Sequence, residues 1–290
     1  MAANVEMTWA ASAAHTRRFS RLSMRGAFWL AILVASFASS PAHAQNPDEL
    51  LPAASAAKAR AILDQAVQGM GGDAYLNAQN SDCSGRFAQF EHTGALGGFS
   101  EIRQLWQTPD KNRVEYGPKH NIAELYADGH GWSLDRGGVS ELPASDFATY
   151  QESLKTGVNM ILRFRLKEDG IILRYGGADV VDLKEVDWVE VADREQHDVR
   201  IAIDRKMHVP VRTAFASRDE TGRRVETETR FSNYQLIDGV ETPMQVVRLR
   251  DGVQVYQLFL ESCHYNVNLP SDYFTRASLD NYFAQTHKKK

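Results

Sequence analysis

Glu195 and His197 are the residues whose types and spacing come nearest to a metal site in this sequence. They lie in a polar stretch that also contains Asp193 and Asp198. Zinc ligands are usually presented together by ordered elements, whereas this stretch has the composition of a turn. A solvated turn is the favoured interpretation. The sequence therefore predicts no metal ion and no other cofactor.

The common catalytic motifs are absent from the sequence. It contains no G-x-S-x-G, no phosphate-binding loop, no H-E-x-x-H and no G-x-G-x-x-G. An acidic series over 179–193 lacks the glycine and the closing glutamate of an EF-hand loop, so a solvated strand face explains it better than Ca²⁺ binding. We therefore expect no catalytic residues and do not predict an enzyme.

Apolar and aromatic side chains offer the other chemistry, the binding of acyl chains. The candidates for a hydrophobic lining, taken from apolar strand faces and a predicted helix, are Phe87, Trp106, Tyr116, Trp132, Phe164, Ile201, Phe215, Phe231 and Leu249. They could form an ordinary core between sheet and helices. They could equally line a concave sheet that is only partly filled and leaves room for a ligand. Periodicity alone does not separate these two interpretations.

Two helices must position these side chains. Residues 55–70 are rich in helix formers, carry an apolar stripe and end at Gly71-Gly72. A second helix is expected over 144–167, because Pro143 precedes it and apolar residues then repeat at helical spacing.

Short strands fill the rest of the chain. They are expected near 81–91, 99–107, 112–117, 121–127 and 131–135, and then near 171–175, 179–192, 198–204, 209–217, 223–234, 243–250 and 253–265. Several alternate apolar and polar residues, which is typical of antiparallel sheets with one solvated face. No βαβ rhythm appears. The predicted fold class is α+β, with one strongly curved antiparallel meander in a single domain over 45–290.

Residues 1–44 have the three parts of a secretory signal peptide. Four arginines precede the uncharged segment 27–38, and the segment ends before Ala42-His43-Ala44. Twelve apolar residues make about 18 Å of helix, against a hydrocarbon core of roughly 30 Å, which favours a cleaved signal over a membrane anchor. Cleavage after Ala44 would release the mature chain into the periplasm.

Loss of this segment changes the net charge of the chain, and export places the two cysteines in a different redox environment. The formal charge falls from −4 to −7, because residues 1–44 hold four basic residues and one acidic residue. A mildly acidic chain without a basic stripe is a poor nucleic-acid binder. Cys83 and Cys263 both remain and would meet an oxidising compartment, but the sequence does not show whether they come close enough to pair. The core is expected over about 55–276, and the residues after it, which end in Lys288–Lys290, are expected to form a flexible C-terminal tail.

Short turn and strand-end motifs follow one another in a fixed order over residues 55–276. They are Asp128-Gly129 leading to Gly131-Trp132, Ile203-Asp204 running to Val209-Pro210, Phe231–Tyr234, Asp238–Pro243, and Asn266–Asn268 ahead of Asp272–Phe274. In this order the chain resembles the LolA-like and LolB-like periplasmic lipoprotein carriers, or outer-membrane lipoprotein-sorting proteins. The resemblance implies an unclosed, half antiparallel β-barrel wrapped over helices. It also implies a hydrophobic cavity that shields lipids or the acyl groups of lipoproteins.

The residues and the resemblance together predict a periplasmic carrier that binds lipid or lipoprotein acyl chains and shuttles them toward the outer membrane. Its expected partners are these acyl chains and the lipoprotein machinery of the inner or outer membrane. One alternative is a regulatory protein on the same scaffold that senses envelope lipids, which an exposed apolar patch without an internal cavity would favour. The other is an enzyme, which would need Glu, His or Asp side chains converging inside the concavity.

Overall fold

The structure, a computed structural model, describes residues 46–219 and 221–287. The predicted signal peptide and the terminal lysines lie outside the described residues. Within the described ranges, no helix has both the length and the apolarity needed to cross a bilayer.

Thirteen antiparallel strands of the described chain form one sheet in the order β6-β5-β4-β3-β2-β1-β13-β12-β11-β10-β9-β8-β7. The strands are Asn80–Phe90 (β1), Leu96–Gln107 (β2), Lys111–Tyr116 (β3), Ile122–Ala127 (β4), His130–Asp135 (β5), Gly138–Glu141 (β6), Ile172–Val181 (β7), Lys184–Ala192 (β8), Asp198–Asp204 (β9), Pro210–Arg218 (β10), Arg224–Ile237 (β11), Val240–Arg250 (β12) and Val253–Tyr265 (β13). Strands β6 and β7 are the two edges, so the sheet is not closed. The predicted α+β class with an open antiparallel sheet is confirmed.

Local sequence explains much of this sheet. In β9, Val199, Ile201 and Ile203 are buried on one face, whereas on the other face Asp198 and Arg200 are exposed but Ala202 and Asp204 are buried. The hairpins β4–β5, β11–β12 and β12–β13 each turn at an Asp-Gly pair whose two residues have positive φ. This is the backbone of the tight turn that matches the twist of antiparallel strands.

The sheet departs from the sequence prediction at the β7–β8 hairpin. The strand expected over 179–192 is divided by a turn at Asp182 and Leu183, whose φ angles are 49° and 64°. Neither residue is a glycine, so the segment carries no sequence signal for a turn with positive φ.

In the described part of the chain five α-helices accompany the sheet, namely Pro52–Gly69 (α1), Asp73–Asn77 (α2), Ala144–Thr156 (α3), Val158–Arg163 (α4) and Arg276–His287 (α5). The single helix predicted over 144–167 is wrong, because Gly157 is extended, with φ −69° and ψ 130°, and separates α3 from α4. A short 3₁₀ turn over Arg165–Lys167 completes the segment. Glycine is a poor helix former, so Gly157 is a natural point for the helix to be interrupted.

The helices pack on opposite faces of the sheet and create two cores. The first lies under α1 and α4, where Leu63 and Ile161 contact Val189 and Ile201; we call this the inner face. The second contains Leu105 and Leu279, and places α5 on the outer face of the wing formed by β2–β5. The end of the chain, predicted as a flexible tail, is therefore a packed helix over residues 276–287.

Strands β1 and β13 join the two wings of the sheet. Cys83 lies directly opposite Cys263 in this pair, and the two residues are disulfide-bonded across a sequence separation of 180. The register shifts next to them, because Gly85 faces Leu260 while Ser84 faces Ser262, which leaves Glu261 as the extra residue of a β-bulge.

Gly85 makes this junction sterically possible. A Cβ atom built on Gly85 would lie 2.0 Å from the carbonyl oxygen of Phe259, well inside van der Waals contact. Only a residue without a side chain lets β13 approach β1 this closely.

Replacement of Gly85 tests this close approach. We expect Gly85→Ala to lower the free energy of unfolding by about 2 kcal/mol, in the range of an overpacked core, because the backbone of β13 must move. Chemical denaturation measures the change. Gly98→Ala on β2 is the matched control, since a Cβ there meets nothing within 4 Å. Equal stability of the two variants would contradict the steric account.

Candidate functional site

A cavity of about 380 Å³ lies between the inner face of the sheet and the segment α3–α4. The volume falls in the lower part of the roughly 300–1,000 Å³ range of small-molecule sites. Its middle is apolar. The side chains there are Trp106, Leu154, Met160, Phe164, Phe215, Phe231, Val246, Leu258 and Leu260.

The position of the lining residues shows how strongly the sheet curves. Asn112 on β3 and Thr213 on β10 line the same cavity although six strand spacings separate their strands. In a flat sheet six spacings of about 4.8 Å would hold them roughly 29 Å apart. The two wings therefore fold around the cavity.

The β-bulge on β13 brings Tyr265 into the lining. Leu258 and Leu260 face the cavity before the extra residue, and Tyr265 faces it afterwards. A regular strand would turn Tyr265 to the outer face, because alternate residues point to opposite sides. The bulge thus keeps one wall of the cavity continuous.

One end of the cavity, near the start of β1, is polar, and we call it the closed end because Tyr75 and Arg163 there are buried. Tyr75, Tyr234 and Tyr265 lie there, and their hydroxyl groups bond to protein atoms, for example Tyr75 to Asn159 Oδ1 at 2.9 Å and Tyr265 to Thr242 Oγ1 at 3.0 Å. Burial raises the pKa of all three phenols. They stay neutral hydrogen-bonding groups at physiological pH.

Arg163 brings a charge to this closed end. Its side chain is buried, and Nη2 donates to the carbonyl oxygens of Ala78 and, at 3.4 Å, Leu76. The guanidinium lies 4.6 Å from the ring centroid of Trp106 and 5.0 Å from that of Phe164. Burial lowers the pKa of Arg163, and the hydroxyl groups of Tyr75 and Tyr265 act in the opposite direction. An arginine remains charged despite such a shift.

At its other end the cavity continues into an open groove of about 1,090 Å³ between α3 and strands β10–β13. Arg248 and Tyr256 belong to both spaces. The groove is lined mainly by polar side chains, including Lys155, Arg218 and Arg250. The site therefore has an apolar middle, a polar closed end and a polar mouth.

Helix α3 covers the inner face and is attached to both wings. On one wing, the ring of Tyr150 stacks on Tyr126 of β4 with the centroids 4.1 Å apart, and its hydroxyl donates to the carbonyl of Asp110. On the other wing, buried Arg165 donates to the carbonyl of Lys155 at the end of α3 and binds Asp193 with Nη2 2.6 Å from Oδ2.

The turn that holds Asp193 also contains three possible metal ligands. One ligand atom each of Asp193, Glu195 and His197 lies within 4.8 Å of the others. The carboxylate of Asp193 is already used, since Oδ1 accepts the backbone N–H groups of Glu195 and His197 while Oδ2 contacts Arg165 and His197 Nδ1. The stretch is a turn with Arg194, Glu195 and Gln196 exposed, whereas the side chain of Asp193 is largely buried and its hydrogen bonds order the turn.

Of the nine candidate lining residues, the structure brings four together around the cavity. They are Trp106, Phe164, Phe215 and Phe231. Two more lie beside it, since the ring of Phe87 is 6.2 Å from that of Tyr116 and 5.5 Å from that of cavity-lining Tyr256.

The other three candidates lie elsewhere. Ile201 is fully buried in the core beneath α1. Trp132 packs in the second core with α5, because its strand position faces the outer side of the sheet. Leu249 follows Arg248 on β12 and lies outside the lining. Alternation along a strand shows that two faces differ, but it does not show which face a helix covers.

Sequence reasoning missed Arg163, Tyr75 and Tyr265. Arg163 meets Ala78 across 85 positions of sequence, and no local spacing signals such a contact. The one local signal for Arg163 is its position next to Phe164 in the predicted helix.

Comparison with known proteins identifies the fold. No family model and no curated protein sequence matches the chain. A DUF1329 family protein from Desulfovibrio piger superimposes with a TM-score of 0.56 and 16% identity, covering 76% of this chain and 98% of that one. An outer membrane lipoprotein-sorting protein domain from Vibrio parahaemolyticus gives a TM-score of 0.53 and 12% identity, covering 78% and 99%. This chain therefore has a LolA-like fold.

Because Asp193 helps to attach the segment α3–α4, we predict that the stability of the folded protein depends on pH. Burial raises the pKa of Asp193, but hydrogen bonds from His197 and Arg165 outweigh it and lower the pKa to about 2. A lowered pKa in the folded state stabilises the protein above the ordinary carboxyl pKa, and this stability is lost as the pH falls from about 4 to about 2. We expect a loss on the order of 1 kcal/mol over this interval, less than the full pKa shift would give, because solvent around the turn screens the charges.

Asp193→Asn should lose this stability already at pH 7. Its free energy of unfolding, measured by urea denaturation, should therefore fall less than that of the wild type between about pH 4 and about pH 2. Asp64→Asn, at an exposed position of α1, is the control and should keep the wild-type profile. If the free energy of unfolding of Asp193→Asn fell as steeply as that of the wild type at low pH, Asp193 would not be the cause of the pH dependence.

Proposed function

We propose that this protein is a periplasmic carrier that holds an acyl chain of a lipid or lipoprotein in the cavity beneath α3–α4 and delivers it toward the outer membrane. The periplasmic location in this proposal rests on the signal-peptide pattern of residues 1–44. The observation that carries the proposal is the cavity itself, whose apolar middle is neither filled by side chains nor open on all sides. A LolA-like scaffold supports it.

Burial of an acyl chain would supply the binding energy. Each methylene removed from water contributes about 0.8 kcal/mol, so ten methylenes give roughly 8 kcal/mol before the cost of association. Contacts with Phe215, Phe231 and Leu258 are of this non-directional kind. Such a site needs few polar contacts along the chain, which agrees with the composition of its middle.

Ligand entry and release would proceed at the mouth next to α3. The cavity and the polar groove share Ser153, Thr156, Phe215, Arg248 and Tyr256, so a ligand can pass between them without crossing the sheet. Extended Gly157 separates α3 from α4 and lets α3 move as a lid.

The same lining bears on the two alternatives. Among the described residues around the cavity, Glu241 is the one carboxylate and histidine is absent, so no acid–base pair converges there. An internal cavity also favours a carrier over a sensor that works through a surface patch.

A cavity-filling substitution tests the proposal. Leu258→Trp places a larger side chain in the apolar middle, and we expect it to weaken the binding of a fluorescently labelled C16 acyl lipid at least tenfold. Titration of the purified mature chain measures the affinity.

Phe259→Trp is the matched control, because the side chain of Phe259 lies on the outer face of the same strand and is 41% exposed. It should bind the lipid as the wild type does. Absence of binding by the wild type, or equal weakening by both substitutions, would count against the cavity as the lipid site.

A further inference from the structure

We propose that the ligand of this cavity is a single-chain fatty acid whose carboxylate lies at the closed end, against Arg163. This inference rests on the proposed function and specifies its substrate class. The acyl chain would extend from Arg163 through the apolar middle toward Arg248 at the mouth.

The first argument is the missing partner of a buried charge. Three arginines are largely buried in the described chain, and two of them hold a carboxylate: Arg113 contacts Glu115 at 2.8 Å and Arg165 contacts Asp193 at 2.6 Å. Among the described residues, Arg163 has no carboxylate within 4.0 Å. A buried charge without a counter-ion is costly, and its cation–π contacts and carbonyl bonds offset this only in part.

The second argument is an unused hydrogen-bonding group. Nε of Arg163 is buried and has no acceptor, although Arg163 lines the cavity. A buried donor without an acceptor loses its hydration and gains nothing in return. A carboxylate oxygen at this position would satisfy Nε with a charge-assisted bond.

Asn112 lines the same cavity. It is the register partner of Trp106, on whose ring Arg163 lies, and its Oδ1 is also buried without a partner. Rotation of the side-chain amide by half a turn would present its N–H group instead of the oxygen. With a carboxylate bound, Asn112 and Arg163 would both donate to it.

Charge and size agree with this substrate. Around the cavity the described lining carries Arg163, Arg248 and Glu241, a net charge of +1, in a chain whose mature form is at −7. Glu241 is not within ion-pair distance of Arg163 and leaves that charge uncompensated. A volume of about 380 Å³ fits one chain better than the two or three chains of a membrane lipid or lipoprotein.

The test compares palmitate, methyl palmitate and hexadecyl phosphate, which share a C16 chain, by titration of the delipidated mature protein. We expect the wild type to bind palmitate at least tenfold more tightly than methyl palmitate. Arg163→Met should abolish this preference and bind the ester within twofold of the wild type, whereas Arg163→Lys should retain part of it. Arg212→Met is the control and should keep the preference, because Nε of Arg212 also lacks a hydrogen-bond acceptor but Arg212 lies on β10 outside the cavity and pairs with Asp182 and Glu228.

Each outcome decides a distinct point. Equal affinity of the wild type for the acid and the ester overturns the inference while leaving the carrier proposal intact, even if Arg163→Met does not fold. If the preference for palmitate over the ester is lost in Arg248→Met but kept in Arg163→Met, the carboxylate lies at the mouth, and the inference is overturned as well. Tighter binding of hexadecyl phosphate than of palmitate refutes the carboxylate. Failure to bind any C16 probe refutes the proposed function itself.

Discussion

The close pairing of β1 with β13 is the contact on which the rest of the molecule depends. Every other neighbouring pair of strands in the sheet is consecutive in sequence, so this one joins the first part of the chain to the last and makes two wings into one sheet. The Cys83–Cys263 disulfide, Gly85 and the bulge at Glu261 all lie in this pair. Bulges increase local twist and bend a strand. The junction therefore both connects the wings and contributes to the curvature that encloses the cavity.

A curved sheet of this kind exposes a concave apolar face that the remaining chain must cover. Helix α1 covers the part near β7 and β8 with close-packed side chains, whereas α3–α4 spans the opening between the wings and leaves space beneath it. The covering segment is held over the cavity by directional contacts, the Tyr126–Tyr150 stack and the Arg165–Asp193 pair. Such contacts hold a helix in place without filling the space under it. A cover over an unfilled apolar space is the arrangement that the proposed carrier of acyl chains requires.

Local signals explain what the sequence could predict. The apolar face of β9 and the turns at Asp128-Gly129 and Asp238-Gly239 depend on neighbouring residues, and the structure has them where expected. Gly157, the Asp182–Leu183 turn and α5 depend on tertiary contacts, which a local pattern does not contain. In the site, four of nine lining candidates reach the cavity, because alternation separates two faces without telling which one the lid covers. The sequence does not single out Arg163, because its hydrogen-bond partners are distant in sequence. The role inferred for Arg163 also rests on the lack of a neighbouring carboxylate among the described residues, which only the folded structure shows.

The central claim is that the cavity carries an acyl chain in the cell. The most direct measurement is to purify the mature chain from a bacterial envelope without detergent, extract it with organic solvent, and quantify acyl lipids per protein by mass spectrometry. The account predicts close to one single-chain acyl ligand per folded protein. An extract without acyl lipid, from protein whose circular dichroism shows the folded sheet, would contradict it.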